Sequence, residues 1–145
     1  MTFSRSTTIT WQGTIMEGAG TLTAATGAFE TKVTFPRRIG EPEGTTSPEE
    51  LMAGSHAVCY AMVLTGALGR ANATTTSTTV TCTVTADKGD TGINIVTSEL
   101  HAVATGLTGL DAAGFDALAQ DAKGKCPISK ALNPSIAITV TTSVK

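Results

Sequence analysis

Length, composition and charge exclude several classes of protein before any motif is considered. The chain has 145 residues, with ten Lys or Arg against twelve Asp or Glu and only 4% aromatic residues. A net charge of −2 without a basic block, together with so few aromatic side chains, argues against a nucleic-acid binder. The length is enough for a real core, and we expect one domain over residues 1–145.

The number of cysteines and the composition of the first residues indicate the cellular compartment. Three cysteines do not form a disulfide framework, which normally uses an even number in a short secreted chain. Residues 1–13 contain no apolar run of signal-peptide length. We therefore expect a cytoplasmic protein, in which a cysteine pair is more often catalytic, redox-active or metal-binding than structural.

Apolar and polar side chains alternate with period two in residues 7–35, with glycines between the alternating segments. This pattern predicts an antiparallel meander of three strands joined by short turns. Pro36 ends the last of them, and 37–46 is predicted to be a loop that carries Arg37 and Arg38. The predicted strands are 8–11, 14–24 and 29–35.

The longest apolar run predicts a long helix. Ser47 suits the N-cap, Pro48 the first helical position, and Glu50 lies three residues after the cap to complete a capping box. Small or apolar side chains cover nearly every face from 51 to 68, so this helix should be surrounded by its own fold or by a second subunit. The run imitates a membrane span in length, but its polar residues and the polar remainder of the chain argue against one.

The second half of the chain predicts a strand pair, a helix, a short helical turn and a last strand. Asp111 is expected to cap the helix and Gly124 to end it. The element order predicts an α+β fold with antiparallel sheets wrapped around a long buried central helix. The predicted elements are strands 79–86 and 93–104, a helix after 111, a turn over 126–131 and a strand over 135–143.

Each cysteine has a different local setting. Cys82 alternates with two valines in a predicted strand, which indicates core packing. Cys126 precedes a proline, and as the cap of the following turn its sulfur would lie at a helix N-terminus, which stabilises a thiolate. Cys59 lies in the middle of the apolar helix, where burial raises the pKa, so its activation needs a cation such as Arg37 or Arg38.

Glu49 lies on the same predicted helix as Cys59, and its distance from the sulfur decides whether the two can interact. It lies ten residues before Cys59, which is about 15 Å along a helix axis, so its carboxylate cannot reach the sulfur directly. A long arginine could lie between them and contact both, or a second subunit could bring these groups closer.

Two separated cysteine motifs carry a family resemblance. P-E-E-L precedes S-H-A-V-C-Y-A-M-V-L within 48–64, and C-P-I-S-K-A-L follows at 126–132. The N-terminal strands add W-Q-G-T-I, G-A-G-T-L and T-G-A-F. With these motifs the chain resembles the OsmC/Ohr family of thiol peroxidases, in its OsmC-like branch, over nearly its whole length. Ser47 replaces the asparagine common in that family before Pro-Glu, and serine caps a helix as well as asparagine does.

The resemblance implies an intertwined homodimer with two active sites at the subunit interface. It implies reduction of organic hydroperoxides in oxidative-stress defence, with no metal, haem or other cofactor. Cys59 would be the peroxidatic cysteine and Cys126 the resolving cysteine, with Glu49 and Arg38 as the active-site ion pair; neighbouring Arg37 remains open for the arginine's role. The expected partners are an organic hydroperoxide, an external dithiol reductant such as a lipoyl dithiol, and a second copy of the chain.

A different class also remains open, namely a non-catalytic module that binds a small apolar ligand or a metal in the same cleft. His56 and Cys59 lie at i and i+3, a spacing that can share a metal ion. No further ligand is evident beyond Cys126 and the distant His101, and His56 is more simply explained as a core or interface histidine. Metal analysis of the purified protein separates this hypothesis from that of a thiol peroxidase, which needs no metal.

Overall fold

Six strands and four helices follow one another in the computed structural model, which describes all 145 residues. The chain forms two units, Met1–Leu51 and Met52–Lys145. Each unit holds one three-stranded sheet. The elements are β1 (Thr7–Gln12), β2 (Ala19–Ala24), β3 (Glu30–Val33), α1 (Phe35–Ile39), α2 (Pro48–Arg70), β4 (Ser77–Gly89), β5 (Gly92–Thr105), α3 (Ala112–Lys125), α4 (Pro127–Leu132) and β6 (Ala137–Val144).

The first sheet is the predicted antiparallel meander in the order β1-β2-β3. Its second strand is shorter than predicted, because the residues after Gly13 form a turn instead of extended backbone. Gly13 has a φ of 83°, and the Gly18 N–H donates to the Thr14 carbonyl at 2.8 Å. A Cβ on Gly18 would lie 2.3 Å from the Gln12 carbonyl oxygen, so only glycine fits this turn.

The predicted loop over 37–46 instead begins inside a short helix, α1. The Thr34 hydroxyl accepts a hydrogen bond from the Arg37 N–H at 3.3 Å, and Pro36 lies in the first turn. The third strand therefore ends at Val33. A proline after an alternating segment predicts the end of a strand, but a proline that follows a threonine cap is equally suited to opening a helix.

Helix α2 begins where the sequence predicts. The Ser47 hydroxyl accepts from the Glu50 N–H at 3.1 Å, and the Ser47 carbonyl accepts from the Leu51 N–H. The predicted capping box does not close, because the Glu50 carboxylate accepts from the Thr46 hydroxyl at 2.6 Å. Glu50 therefore fixes the residue before the cap rather than the Ser47 backbone.

One face of α2 is buried in this chain, and the opposite face is open. Val58 and Met62 on the open face are 58% and 70% exposed. The prediction that the helix is covered on every side is therefore not met by this chain alone. The buried residues recur at helical spacing and are His56, Tyr60, Leu64, Ala67 and Leu68.

By length and composition α2 also passes the test for a membrane-spanning helix, with a mean hydropathy of 1.5 over 18 residues. Core helices of soluble proteins pass the same test. The inward face of α2 lies in a hydrophobic cluster with Leu100 of β5, Phe115 of α3 and Val140 of β6. Only 28% of this window is buried, so the packing covers one face of α2.

The second sheet has the order β4-β5-β6 and is mixed. Strands β4 and β5 pair antiparallel as predicted, and β4 places Val80, Cys82 and Val84 on one half-buried face. The expectation of purely antiparallel sheets is wrong for β6, which pairs parallel with β5. Helices α3 and α4 lie between these two strands in the chain and supply the crossover that a parallel pair requires.

The two helices of this crossover meet at one residue. Asp111 caps α3 as predicted, accepting from the Gly114 N–H at 2.7 Å. Gly124 does not end the helix; α3 ends at Lys125, Cys126 follows as its C-cap with extended backbone, and Pro127 then opens α4. The helical conformation is sterically unfavourable for a residue that precedes proline, which explains why the helix breaks at Cys126.

Candidate active site

The two predicted site cysteines, Cys59 and Cys126, lie side by side in the second unit. The Cys126 thiol donates to the Cys59 sulfur with the two Sγ atoms 3.2 Å apart. Cys126 is fully buried, whereas Cys59 is partly exposed. The separation exceeds the length of a disulfide bond, about 2.05 Å, by about 1.1 Å. A small displacement is therefore enough to join the two sulfurs.

The α3–α4 junction holds Cys126 from both sides. Its N–H donates to the Ala122 and Lys123 carbonyls at 3.0 and 3.4 Å, and its carbonyl accepts from the Lys130 N–H at 3.0 Å. Cys126 is the N-cap residue of α4, as expected, although its side chain makes no capping hydrogen bond. The Cys126 thiol instead donates to the Cys59 sulfur, so the α3–α4 junction directs the Cys126 side chain toward α2.

The surroundings of Cys59 oppose its ionisation. Burial raises the pKa of the Cys59 thiol, a hydrogen bond from the Ile128 backbone N–H lowers it, and the neighbouring Cys126 raises it further. The net direction is upward, as the apolar helix position predicts. Cys59 is therefore largely protonated at neutral pH in this environment, and forming its thiolate calls for an added positive charge.

The predicted ion pair forms within the first unit. Arg38 of α1 donates from Nε to both Glu49 carboxylate oxygens at 3.1 and 3.2 Å and from Nη2 to Oε1 at 2.6 Å. Their side chains are 25% and 14% exposed. These bonds raise the pKa of Arg38 and lower the pKa of Glu49, so both groups stay charged at neutral pH. Arg38 also lines an open pocket of about 220 Å³.

Arg37 makes a different set of contacts. Its Nη2 lies 2.5 Å from a Glu43 carboxylate oxygen, and its Nη1 donates to the Glu41 carbonyl at 3.2 Å. The Arg37 and Glu43 side chains are 41% and 63% exposed, so this is a surface ion pair. The geometry therefore pairs Glu49 with Arg38 and not with its neighbour.

Two serines that the sequence analysis did not single out lie beside His56. The imidazole is fully buried, with Nδ1 2.7 Å from the Ser98 hydroxyl and Nε2 2.8 Å from the Ser129 hydroxyl. Both ring nitrogens are therefore occupied, and His56 could share a metal with Cys59 only by giving up a hydrogen bond. No group of three or more His, Cys, Asp or Glu side chains is arranged to hold a metal ion. Ser129 could have been identified from the sequence by its position in the C-P-I-S-K-A-L motif.

The other two candidates from the sequence lie outside the cysteine pair. Cys82 is half-buried against the core, as predicted, and its sulfur lies 3.3 Å from the Ser98 hydroxyl. His101 is exposed on β5 and bonds to the Thr141 hydroxyl at 2.8 Å. Neither residue touches the sulfurs of the paired cysteines.

The fold and the paired sulfurs define a class, that of α+β proteins with two adjacent thiols. Residues 40–141 match a family model described as OsmC-like protein. The chain is also 35% identical over 138 residues to Peroxiredoxin OsmC of Escherichia coli strain K12, covering 95% of this chain and 96% of that protein. The chain therefore belongs to the OsmC-like family.

Solved structures share the fold. An organic hydroperoxide resistance protein from Elizabethkingia anophelis superposes with a TM-score of 0.79 at 24% identity, covering 100% of this chain and 99% of that one. The organic hydroperoxide resistance protein OhrB of Bacillus subtilis gives a TM-score of 0.75 at 21% identity, covering 97% and 98%. These similarities confirm the predicted α+β class.

Proposed function

We propose that the protein is a cysteine-based peroxidase that reduces organic hydroperoxides to alcohols. The observation that carries this proposal is the 3.2 Å separation of the Cys59 and Cys126 sulfurs within an OsmC-like fold. Relatives named as a peroxiredoxin and as organic hydroperoxide resistance proteins support the same chemistry and a role in oxidative-stress defence. One thiolate reduces a peroxide by two electrons and becomes a sulfenic acid, and an adjacent second thiol converts that sulfenic acid to a disulfide that an external dithiol can reduce.

In the proposed first step, the Cys59 thiolate attacks the terminal oxygen of the hydroperoxide. The O–O bond breaks, Cys59 becomes a sulfenic acid, and the remaining oxygen leaves as an alkoxide that is protonated to the alcohol. Cys59 is the more exposed of the two cysteines, so it is the one that a substrate can reach.

In the second step, the Cys126 sulfur attacks the Cys59 sulfenic sulfur. A disulfide forms, and the sulfenic oxygen leaves as water. An external dithiol then reduces the disulfide by two thiol–disulfide exchanges, giving back both protein thiols and leaving the donor as a disulfide. A lipoyl-type dithiol fits this role, because its two sulfurs close into a ring after the first exchange.

Arg38 and Glu49 are proposed to supply the charge that Cys59 lacks. Arg38 would lower the pKa of Cys59 during catalysis and stabilise negative charge on the peroxide oxygens. Glu49 would orient the guanidinium, a role supported by its three hydrogen bonds to Arg38. Arg37 is engaged with Glu43 at the surface, which favours Arg38 for the role.

The apolar setting of Cys59 supports a preference for organic substrates. Cys59 packs against the hydrophobic core, next to Val63 in the same cluster. An alkyl group of a hydroperoxide gains from contact with such a surface, whereas hydrogen peroxide has no apolar part to bury. We therefore propose organic hydroperoxides over hydrogen peroxide. Three free cysteines suit a reducing compartment, so the proposal places the enzyme in the cytoplasm.

We also propose a homodimer built from one domain per chain. The open face of α2, with Val58 and Met62, gives a second copy an apolar surface to cover. The family match over 40–141 runs through both units, which supports a single domain over residues 1–145. Light scattering at micromolar concentration should give the dimer mass, and Met62→Lys should lower it toward the monomer; a folded wild-type monomer there would refute the dimer.

The experiment that tests the function is a comparison of two oxidants with one donor. Purified protein is given dihydrolipoamide and either an alkyl hydroperoxide or hydrogen peroxide, and oxidant consumption is followed. The proposal predicts faster turnover of the alkyl hydroperoxide, with Cys59→Ser as the inactive control. Equal turnover would refute the organic preference, and no turnover of either oxidant would refute the peroxidase.

A further inference from the structure

One fully buried polar side chain of the second unit, His56, has no part in the proposed peroxide chemistry. His56 lies on α2, three residues before Cys59, and is fully buried. Its two ring nitrogens bond to serines on two other elements: Ser98 on β5 at 2.7 Å and Ser129 on α4 at 2.8 Å. The imidazole therefore bridges α2 to both a strand and the short helix α4.

The hydrogen bonding of this bridge is complete. Burial lowers the pKa of His56, which favours the neutral ring with one donor and one acceptor nitrogen. A serine hydroxyl can serve as either partner, so both nitrogens are satisfied, and no buried side-chain polar atom lacks a partner. Removing one hydroxyl would leave a buried nitrogen unbonded, which is unfavourable for the observed arrangement.

The α4 end of the bridge leads directly to the paired cysteines. Cys126 is the N-cap residue of α4, and Ser129 follows it within the first turn. The backbone of Ile128, in the same turn, lowers the pKa of the Cys59 thiol against the larger effect of burial. Helix α4 has only six residues, and a helix that short depends on contacts with the rest of the fold for its position.

We propose that His56 is a positioning residue for disulfide formation: through Ser129 it holds α4 against α2 so that the Cys126 sulfur stays within reach of Cys59. This inference rests on the proposed peroxidase function and concerns its second step. That step requires the Cys126 sulfur to attack the Cys59 sulfenic sulfur, with water as the leaving group. A displacement near 1 Å in such a contact can slow a step by about a hundredfold, so a loosened α4 should slow disulfide formation far more than sulfenic acid formation.

Ser129→Ala is the variant that cuts the bridge at α4. We expect disulfide formation to slow by about tenfold or more, because the misplaced sulfur meets the sulfenic acid less often. Sulfenic acid that is not resolved is oxidised further, so the Cys59 sulfinic acid fraction should rise. Ser129→Thr retains the hydroxyl and should restore most of the disulfide rate.

Tyr60→Phe provides a matched control. Tyr60 is also fully buried on α2, and its hydroxyl donates to the Ala119 carbonyl of α3 at 2.9 Å. This variant removes one buried hydrogen bond between the same helix and α3 and leaves the His56–Ser129 hydrogen bond in place. We expect its ratio of disulfide to sulfinic acid to match that of the wild type. If Tyr60→Phe changes this ratio as much as Ser129→Ala does, the effect is a general loss of packing, and the positioning role is overturned.

The test mixes reduced protein with an alkyl hydroperoxide without reductant and quantifies Cys59 sulfenic acid, disulfide and sulfinic acid by mass spectrometry over time. A second arm repeats Ser129→Ala in the Cys126→Ser background, where no disulfide can form. There we expect Ser129→Ala to change sulfinic acid formation much less than it changes disulfide formation in protein that keeps Cys126, since its main effect acts through Cys126.

The outcomes separate the two proposals. A wild-type protein that never forms Cys59 sulfenic acid would refute the peroxidase and this inference with it. A wild type that cycles normally, with Ser129→Ala forming the disulfide equally fast, would refute the positioning role alone. If Ser129→Ala does not fold, His56→Gln is measured in the same assay, and a wild-type disulfide rate in it would also refute the role.

Discussion

The cysteine pair and the arginine–glutamate pair are built in opposite ways. One sulfur of the Cys59–Cys126 pair is fully buried, and burial pushes the Cys59 pKa upward, against the thiolate. The Arg38–Glu49 pair is partly exposed, and its hydrogen bonds favour the charged form of both partners. Burial thus opposes the ionisation of Cys59, while the ion pair keeps a permanent positive charge on Arg38.

The largest effect should come from the cysteine pair itself. Cys59→Ser should reduce hydroperoxide consumption to the uncatalysed rate, because serine oxygen does not form a sulfenic acid equivalent. Cys82→Ser is the matched control, since Cys82 is also half-buried in the same core cluster and its pKa is also raised by burial. Turnover with dihydrolipoamide measures both, and a dead Cys82→Ser that remains folded would show that the cysteine assignment is wrong.

The next largest effect should come from the arginine. Arg38→Ala should move the pH profile of Cys59 alkylation upward by about one to three units, since an opposite charge lowers a thiol pKa by that order. At neutral pH the thiolate fraction, and with it the peroxide step, falls correspondingly. Arg38→Lys keeps the charge but loses the planar fork that binds Glu49, so it should recover only part of the rate.

Arg37→Ala is the control for this prediction. Its partner Glu43 is 63% exposed, and exposed ion pairs contribute little. We expect alkylation and turnover close to those of the wild type. If Arg37→Ala is the slow variant and Arg38→Ala is normal, the two roles must be exchanged; if neither variant changes the pH profile, another group activates Cys59.

A smaller effect is expected from the carboxylate. Glu49→Gln keeps the side-chain shape but removes the charge that holds the guanidinium, so Arg38 should sample other positions. We expect turnover to fall by less than in Arg38→Ala, with a higher KM for the hydroperoxide. Glu50→Gln serves as the control, because Glu50 bonds to the Thr46 hydroxyl rather than to an arginine. A loss in Glu50→Gln as large as in Glu49→Gln would contradict the orienting role.

The smallest effect concerns stability in acid. The pKa of Glu49 is lowered in the folded protein, so the ion pair stabilises the fold above the ordinary glutamate pKa of about 4.3 and this contribution is lost as pH falls through the lowered value. Wild type should exceed Glu49→Gln by about 1 kcal/mol at neutral pH. Urea unfolding at several pH values should show this difference shrinking below about pH 4; a difference that grows in acid would contradict the shift.

Local signals predicted much of the fold. Caps and apolar periodicity placed the long helix, the first meander and the β4–β5 pair, since each depends on neighbouring residues. The helix α1 was missed because Pro36 suits both the end of a strand and the start of a helix. The parallel pairing of β6 was missed because alternation shows which face of a strand is buried but not its direction relative to its neighbour.

The site was predictable from motifs only where its residues fall within them. Cys59 and Cys126 came from two motifs, and the structure brings them together; Arg38 was chosen over Arg37 by resemblance, and the structure pairs it with Glu49. The bridge through His56 was not predictable, because it depends on contacts 42 and 73 residues away in sequence. No local pattern encodes such distances.

The most direct test of the proposed redox pair is a thiol count after a single oxidation. Reduced protein receives one equivalent of an alkyl hydroperoxide without a reductant, and its free thiols and linked peptides are mapped by mass spectrometry. The expected result is one disulfide joining the Cys59 and Cys126 peptides, with Cys82 remaining a free thiol and one equivalent of alcohol released. Three unchanged thiols, or a disulfide that includes Cys82, would contradict it.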